Sequence, residues 1–148
     1  MRKAFIAVAL LLLTAACGPT RLYYWGSTGS ETTRYEDLAY RHYDQQTPES
    51  ICDLICVYED MVTNPGGLRK TPPPGICAEY GYLLLQPNTA EIFSQYATRS
   101  QRRMFDSSNY ASLFSKRGEE MLAREMELYP ESAKFIAPLL NRIKGGRK

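Results

Sequence analysis

From residue 33 onward, apolar positions recur at helical spacing. Tyr35, Leu38, Ala39, His42 and Tyr43 fall at i, i+3, i+4, i+7 and i+8, one face of a helix over 33–45. Thr47-Pro48-Glu49 supplies a cap, a first-position proline and a first-turn acid. It opens a second helix with Ile51, Leu54, Ile55, Tyr58, Met61 and Val62 on one face, ended by Asn64-Pro65-Gly66-Gly67. Beyond the stiff loop Thr71-Pro72-Pro73-Pro74-Gly75, the pattern predicts helices over 75–85, 89–104 and 108–129. Ala78 and Gly81, three apart, would let another helix approach closely. Tyr129-Pro130-Glu131-Ser132 turns the chain into a last helix, with Ile136, Leu139, Leu140 and Ile143 inward and Pro138 set to kink or shorten it. No stretch alternates apolar and polar residues with β-branched enrichment, so the expected class is all-α, in stacked helical hairpins.

The start of the chain follows a different pattern. Met1-Arg2-Lys3 precedes an apolar run, Ala4 to Ala16, interrupted only by Thr14. That is short of the ~18 residues a membrane-spanning helix needs and has the basic, apolar, small-residue layout of a signal peptide. It ends Leu13-Thr14-Ala15-Ala16-Cys17, which resembles a bacterial lipobox. The resemblance implies cleavage before Cys17, with a thioether-linked diacylglycerol and an N-acyl (palmitate-type) chain on that residue. Two or more acyl chains anchor a protein stably to a membrane. Gly18 in place of Asp favours outer-membrane sorting by analogy with other lipoproteins. The expected organisation is a signal peptide over 1–16, a lipidated Cys and flexible tether over 17–33, a helical domain over 34–144 and a disordered tail over 145–148.

Within the tether lies Leu22-Tyr23-Tyr24-Trp25-Gly26. Tyr23, Tyr24 and Trp25 could stack on a glycan or a partner, settle at the membrane interface, or fold back to plug the end of the helical domain. With Cys17 committed to lipid, Cys52, Cys56 and Cys77 remain. A bond from Cys52 or Cys56 to Cys77 is open, but burial as small hydrophobes is the favoured reading. The lone His42 completes no metal set, and no cofactor signature is present.

Charge narrows the function classes. The chain holds 18 basic and 16 acidic side chains, and removing Arg2 and Lys3 leaves 16 of each. A neutral chain lacks the basic footprint of non-specific nucleic-acid binding. Adjacent acids such as Glu36/Asp37, Glu59/Asp60 and Glu119/Glu120 point about 100° apart on a helix and read as solvated faces, so no acid/base pair is expected and an enzyme is disfavoured. Arg99, Arg102 and Arg103 stand at i, i+3 and i+4, the densest basic group together with Lys116 and Arg117. They could meet lipid head groups or an acidic partner, or cap the 89–104 helix.

Ala78-x-x-Gly81-x-x-Leu84 resembles the first helix of a tetratricopeptide unit, and Leu122…Met126-x-Leu128-x-Pro130 the end of a second. Residues 86–107 intervene, and Glu125 stands where a small Ala is usual. In order, Leu-Tyr-Tyr-Trp-Gly (22–26), Tyr-Glu-Asp-Leu (35–38), Thr-Pro-Glu-Ser (47–50), Pro-Pro-Gly-Ile-Cys-Ala-Glu-Tyr-Gly-Tyr (73–82) and Glu-Leu-Tyr-Pro-Glu-Ser (127–132) resemble a domain-of-unknown-function family of small Gram-negative outer-membrane lipoproteins. Members are often encoded beside a lipoprotein similar to the curli-secretion protein CsgG. The resemblance implies a shared envelope assembly with a CsgG-like lipoprotein and carries no catalytic residues. The expected function is a non-catalytic scaffold or adaptor on the outer membrane, facing the periplasm. The alternative is a glycan- or small-ligand-binding lipoprotein using the Tyr/Trp cluster.

Overall fold

The computed structural model describes residues 21–26 and 32–145. The lipobox, Cys17 and the 1–16 signal lie outside the described residues, as do 146–148 of the expected tail. The described chain is all-helical. In order it forms α1 (Arg34–Gln45), α2 (Pro48–Thr63), α3 (Ile76–Leu84), α4 (Thr89–Tyr96), α5 (Arg99–Arg102), α6 (Tyr110–Leu128), a 3₁₀ turn (Pro130–Ser132) and α7 (Ala133–Gly145).

Local sequence explains most boundaries. Thr33 and Glu36 form a reciprocal capping box at the start of α1. Thr47 accepts from the Ser50 amide with Pro48 in the first turn of α2, and Asn109 accepts from the Ser112 amide to open α6. Tyr43 departs from the expected α1 stripe. It is 84% exposed, and among the α1 residues only Leu38 is buried.

Helix α2 is the centre of the domain. It is buried on more than the one expected face, because α1, α3 and α4 all pack on it. Cys52, Cys56 and Val57 join Leu54, Ile55, Tyr58, Met61 and Val62 in the core. Helix α3 lies against α6 at a close crossing. A Cβ on Gly81 would stand 2.8 Å from the Gly118 carbonyl oxygen, and one on Gly118 would stand 3.0 Å from the Gly81 carbonyl oxygen. The predicted packing role of Gly81 thus has its partner in Gly118. A smaller cluster, Leu122, Ile136 and Leu140, joins α7 to the back of α6.

Three expectations are corrected. The 89–104 helix is two helices. The chain leaves α4 at Ala97, whose ψ is 136°, and Thr98 and Gln101 form a fresh capping box that starts α5. Of the two effects expected of Pro138, shortening does not occur, since the last helix continues to Gly145. Burial of Ile136 and Leu140 on either side offsets the lost backbone bond. Within the expected 17–33 tether, residues 21–26 are not free but pack on the helical domain. Arg21 and Leu22 carbonyls accept from the Leu68 and Arg69 amides, both at 3.1 Å, and the Trp25 carbonyl accepts from the Tyr35 amide at 3.2 Å.

Candidate functional site

The break between α4 and α5 creates an open concavity. Gln101 donates to Asp53 Oδ1 at 2.7 Å, tying α5 to the middle of α2. Phe105 is buried beneath it, edge-on to Phe93 at 5.2 Å and Phe114 at 5.5 Å between ring centroids. Over this aromatic floor, Arg99, Arg102 and Arg103 surround an open groove of about 920 Å³, closed on the far side by Asp106, Ser107 and Ser108. All three arginines are exposed, and none forms an ion pair among the described residues. A second groove of about 370 Å³ shares Phe105 and Asp106 and runs past Lys116 and Arg117. The basic residues singled out in the sequence therefore do gather at one place. They do not cap a long helix, because the helix they were assigned to ends before them.

The aromatic cluster goes elsewhere. Tyr24 donates to Asp60 Oδ2 at 2.9 Å, and the Trp25 ring packs on Tyr35 at 5.5 Å. Tyr129 donates to the Pro72 carbonyl at 2.6 Å. Burial first, and the neighbouring Tyr23 second, push the Tyr129 phenol up to about 12. The fold-back arrangement is the one adopted, and these side chains are half-buried against the domain rather than presented as an open stacking platform.

Trp25 begins a row of rings, Trp25–Tyr35–Tyr58–Tyr80, with centroids 5.5, 5.8 and 5.7 Å apart. Tyr35 and Tyr58 both donate to Glu79 Oε2 at 2.7 Å. Tyr80 donates to Glu59 Oε2 at 2.7 Å, and Arg117 donates to Glu59 Oε1 at 2.8 Å. Burial and the adjacent carboxylate push Tyr35 up to about 12 and raise Tyr58 and Tyr80 as well. Burial opposes the charge on Arg117, but Glu59 outweighs it and holds the guanidinium above its ordinary value. The phenols are fixed as neutral donors. Glu59 and Asp60 are thus internal acceptors, not the solvated pair expected from their adjacency.

Glu125 is the other residue the sequence misplaces. Its side chain is 2% exposed and accepts from the amides of Gly75 at 2.7 Å and Ala78 at 3.3 Å. Gly75 opens α3 with a φ of 88° and has no side chain to cap it. Glu125 caps that helix from across the domain, where its charge also meets the positive end of the helix dipole.

The remaining candidates are structural in their contacts. Cys52, Cys56 and Cys77 are free and buried. Burial first, then a nearby carboxylate for Cys52 and Cys77 and the neighbouring Cys52 for Cys56, push the thiols of Cys52, Cys56 and Cys77 up to about 11, 12 and 11. They are protonated hydrophobes at neutral pH. His42 Nδ1 lies 3.0 Å from Ser50 Oγ, but the Ser50 hydroxyl donates to the Thr47 carbonyl at 2.7 Å. His42 therefore helps hold the α1–α2 turn and is not poised to take a proton from Ser50. Among the described residues, no group of His, Cys, Asp and Glu could hold a metal ion, and no helix is long and apolar enough to cross a membrane.

No family model, curated protein or solved structure matches the chain. What the site can do rests on its own geometry. It offers guanidinium donors beside a buried aromatic ring, an arrangement suited to carboxylates.

Proposed function

We propose that this chain is a non-catalytic helical adaptor, lipid-anchored through Cys17, that offers its arginine groove to an acidic segment of a protein partner. The observation that carries the partner half is the set Arg99, Arg102 and Arg103, without an ion-pair partner among the described residues and held on one turn by the Gln101–Asp53 bond. Guanidinium groups match carboxylates in a forked geometry, and mounting them on a fixed turn lowers the entropy lost on binding. The anchor half is supported by the apolar run ending Leu13-Thr14-Ala15-Ala16-Cys17. The ordered motifs that resemble outer-membrane lipoproteins support a periplasm-facing position and make a CsgG-like lipoprotein the first partner to test.

A photoactivatable crosslinker at Ser108, in intact cells, tests the groove. The chain is expected to trap a discrete partner. Arg99→Ala/Arg102→Ala/Arg103→Ala should reduce that product roughly tenfold, from about 0.5 kcal/mol for each exposed pair. The variant should fold normally, since none of the three is in an ion pair among the described residues. An undiminished product in the triple variant would remove the groove from the proposal.

A further inference from the structure

The anchor would leave one end of the domain beside the membrane, and that end has an unusual surface. The strand-like segment from Arg21 lies across the loop after α2. Gly67, at φ +74°, makes room for it, because a Cβ there would stand 2.6 Å from the Leu22 carbonyl oxygen. Gly66 does the same under Tyr24. Two backbone bonds, Leu68 to Arg21 and Arg69 to Leu22, join the two segments, and Leu22 and Leu68 are both surface residues, 47% and 64% exposed. Arg21, Arg69 and Lys70 surround them, all exposed and none in an ion pair among the described residues. Lys70 holds a left-handed φ of 51°, uncommon for a side-chain-bearing residue, at the tip of the turn. Neither 17–30 nor 61–78 contains an acidic residue.

We propose that Arg21, Leu22, Leu68, Arg69 and Lys70 form a membrane-seating patch that lays the domain on anionic phospholipid head groups beside its own anchor. This rests on the lipid-anchor reading above. Cys17 precedes Arg21 by only four residues, so the near edge of the patch, Arg21, stays within about 14 Å of the acylated residue. At that distance a weak surface contact becomes effectively intramolecular. Exposed leucines among basic side chains suit the boundary between acyl chains and head groups. Each basic residue near an anionic surface favours the seated state roughly fivefold, so the three together favour it on the order of a hundredfold at low salt. A seated domain has a fixed orientation, which decides where the arginine groove points.

The test uses the full chain purified from the membranes of expressing cells and reconstituted in phosphatidylcholine vesicles with or without phosphatidylglycerol. Intact mass reports the state of Cys17. Trypsin then reads the patch, because Arg21, Arg69 and Lys70 are cleavage sites, with exposed Arg99, Arg102 and Arg103 as internal references. On phosphatidylglycerol vesicles, cleavage after Arg69 and Lys70 should slow tenfold or more relative to cleavage after Arg102 and Arg103. High salt, detergent micelles or Leu22→Ser/Leu68→Ser should abolish that difference. A lipid-modified protein cut equally fast at both places, or slowed equally at both, overturns the seating. An unprocessed mass without lipid overturns the anchor reading itself, and the seating falls with it.

Discussion

Gly81→Val is expected to cost roughly 3–5 kcal/mol, a large part of the 5–15 kcal/mol that holds a typical domain together. The added Cβ would stand 2.8 Å from the Gly118 carbonyl oxygen and 3.1 Å from the Leu122 amide nitrogen. Both neighbours are backbone in the longest helix, so neither can rotate away, and α3 must separate from α6 instead. The crossing is tight from both sides, since a Cβ on Gly118 would also stand 2.6 Å from Leu85 Cγ. Gly118→Val should therefore be comparably damaging. Gly145→Ala is the control. Nothing lies within 4 Å of the added carbon, and the exchange should be neutral or gain up to about 1 kcal/mol of helix propensity. Urea unfolding measures all three. Equal midpoints for Gly81→Val and the parent chain would mean the two helices do not meet at these glycines.

Glu125→Ala is the second large effect, at roughly 2–4 kcal/mol. It leaves the Gly75 and Ala78 amides unsatisfied at a buried helix start, with Gly75 unable to cap itself. Glu125→Gln keeps one acceptor for Gly75 and should cost less. Acidity separates the two explanations, charge and shape. Burial raises the Glu125 carboxyl above its ordinary value even though the amides of Gly75, Ala78 and Cys77 pull it down. The folded state then holds this proton more tightly than the unfolded state. Its contribution is complete below the ordinary carboxylate value of about 4.3 and is lost as pH rises through the folded-state value. The stability advantage of the parent over Glu125→Gln should accordingly narrow as pH rises above about 4. A gap that widens over that range would show that the amide bonds, not burial, dominate the carboxyl.

These two residues also mark where local sequence stops being informative. The helices were legible because their signals are local: Thr33 with Glu36, Thr47 with Pro48, Asn109, and the stripe Leu113, Phe114, Met121 and Leu122. Gly81 announced a close approach, but its partner Gly118 sits among Arg117, Glu119 and Glu120, where nothing marks a contact. The break at Ala97 was in view, since Thr98-x-x-Gln101 is a capping pattern, yet the apolar spacing through Ile92, Phe93, Tyr96 and Met104 carries across it. Glu59 and Glu125 look like surface acids because their partners lie 21 to 58 residues away, in Tyr80, Arg117 and the Gly75 amide. Tyr58 and Tyr80 bury their rings in the core and Tyr35 packs at its edge, with the three hydroxyls donating to Glu79 and Glu59. The arginine cluster was legible as a cluster. The groove was not, because it depends on the chain leaving α4 early.

Lipid on Cys17 is the claim on which the adaptor reading and the seating patch both depend, and metabolic labelling with an alkyne palmitate analogue reads it directly. The protein should take up the label, sediment with membranes and lose both properties in Cys17→Ala. An unlabelled protein in the soluble fraction at full precursor mass would contradict it.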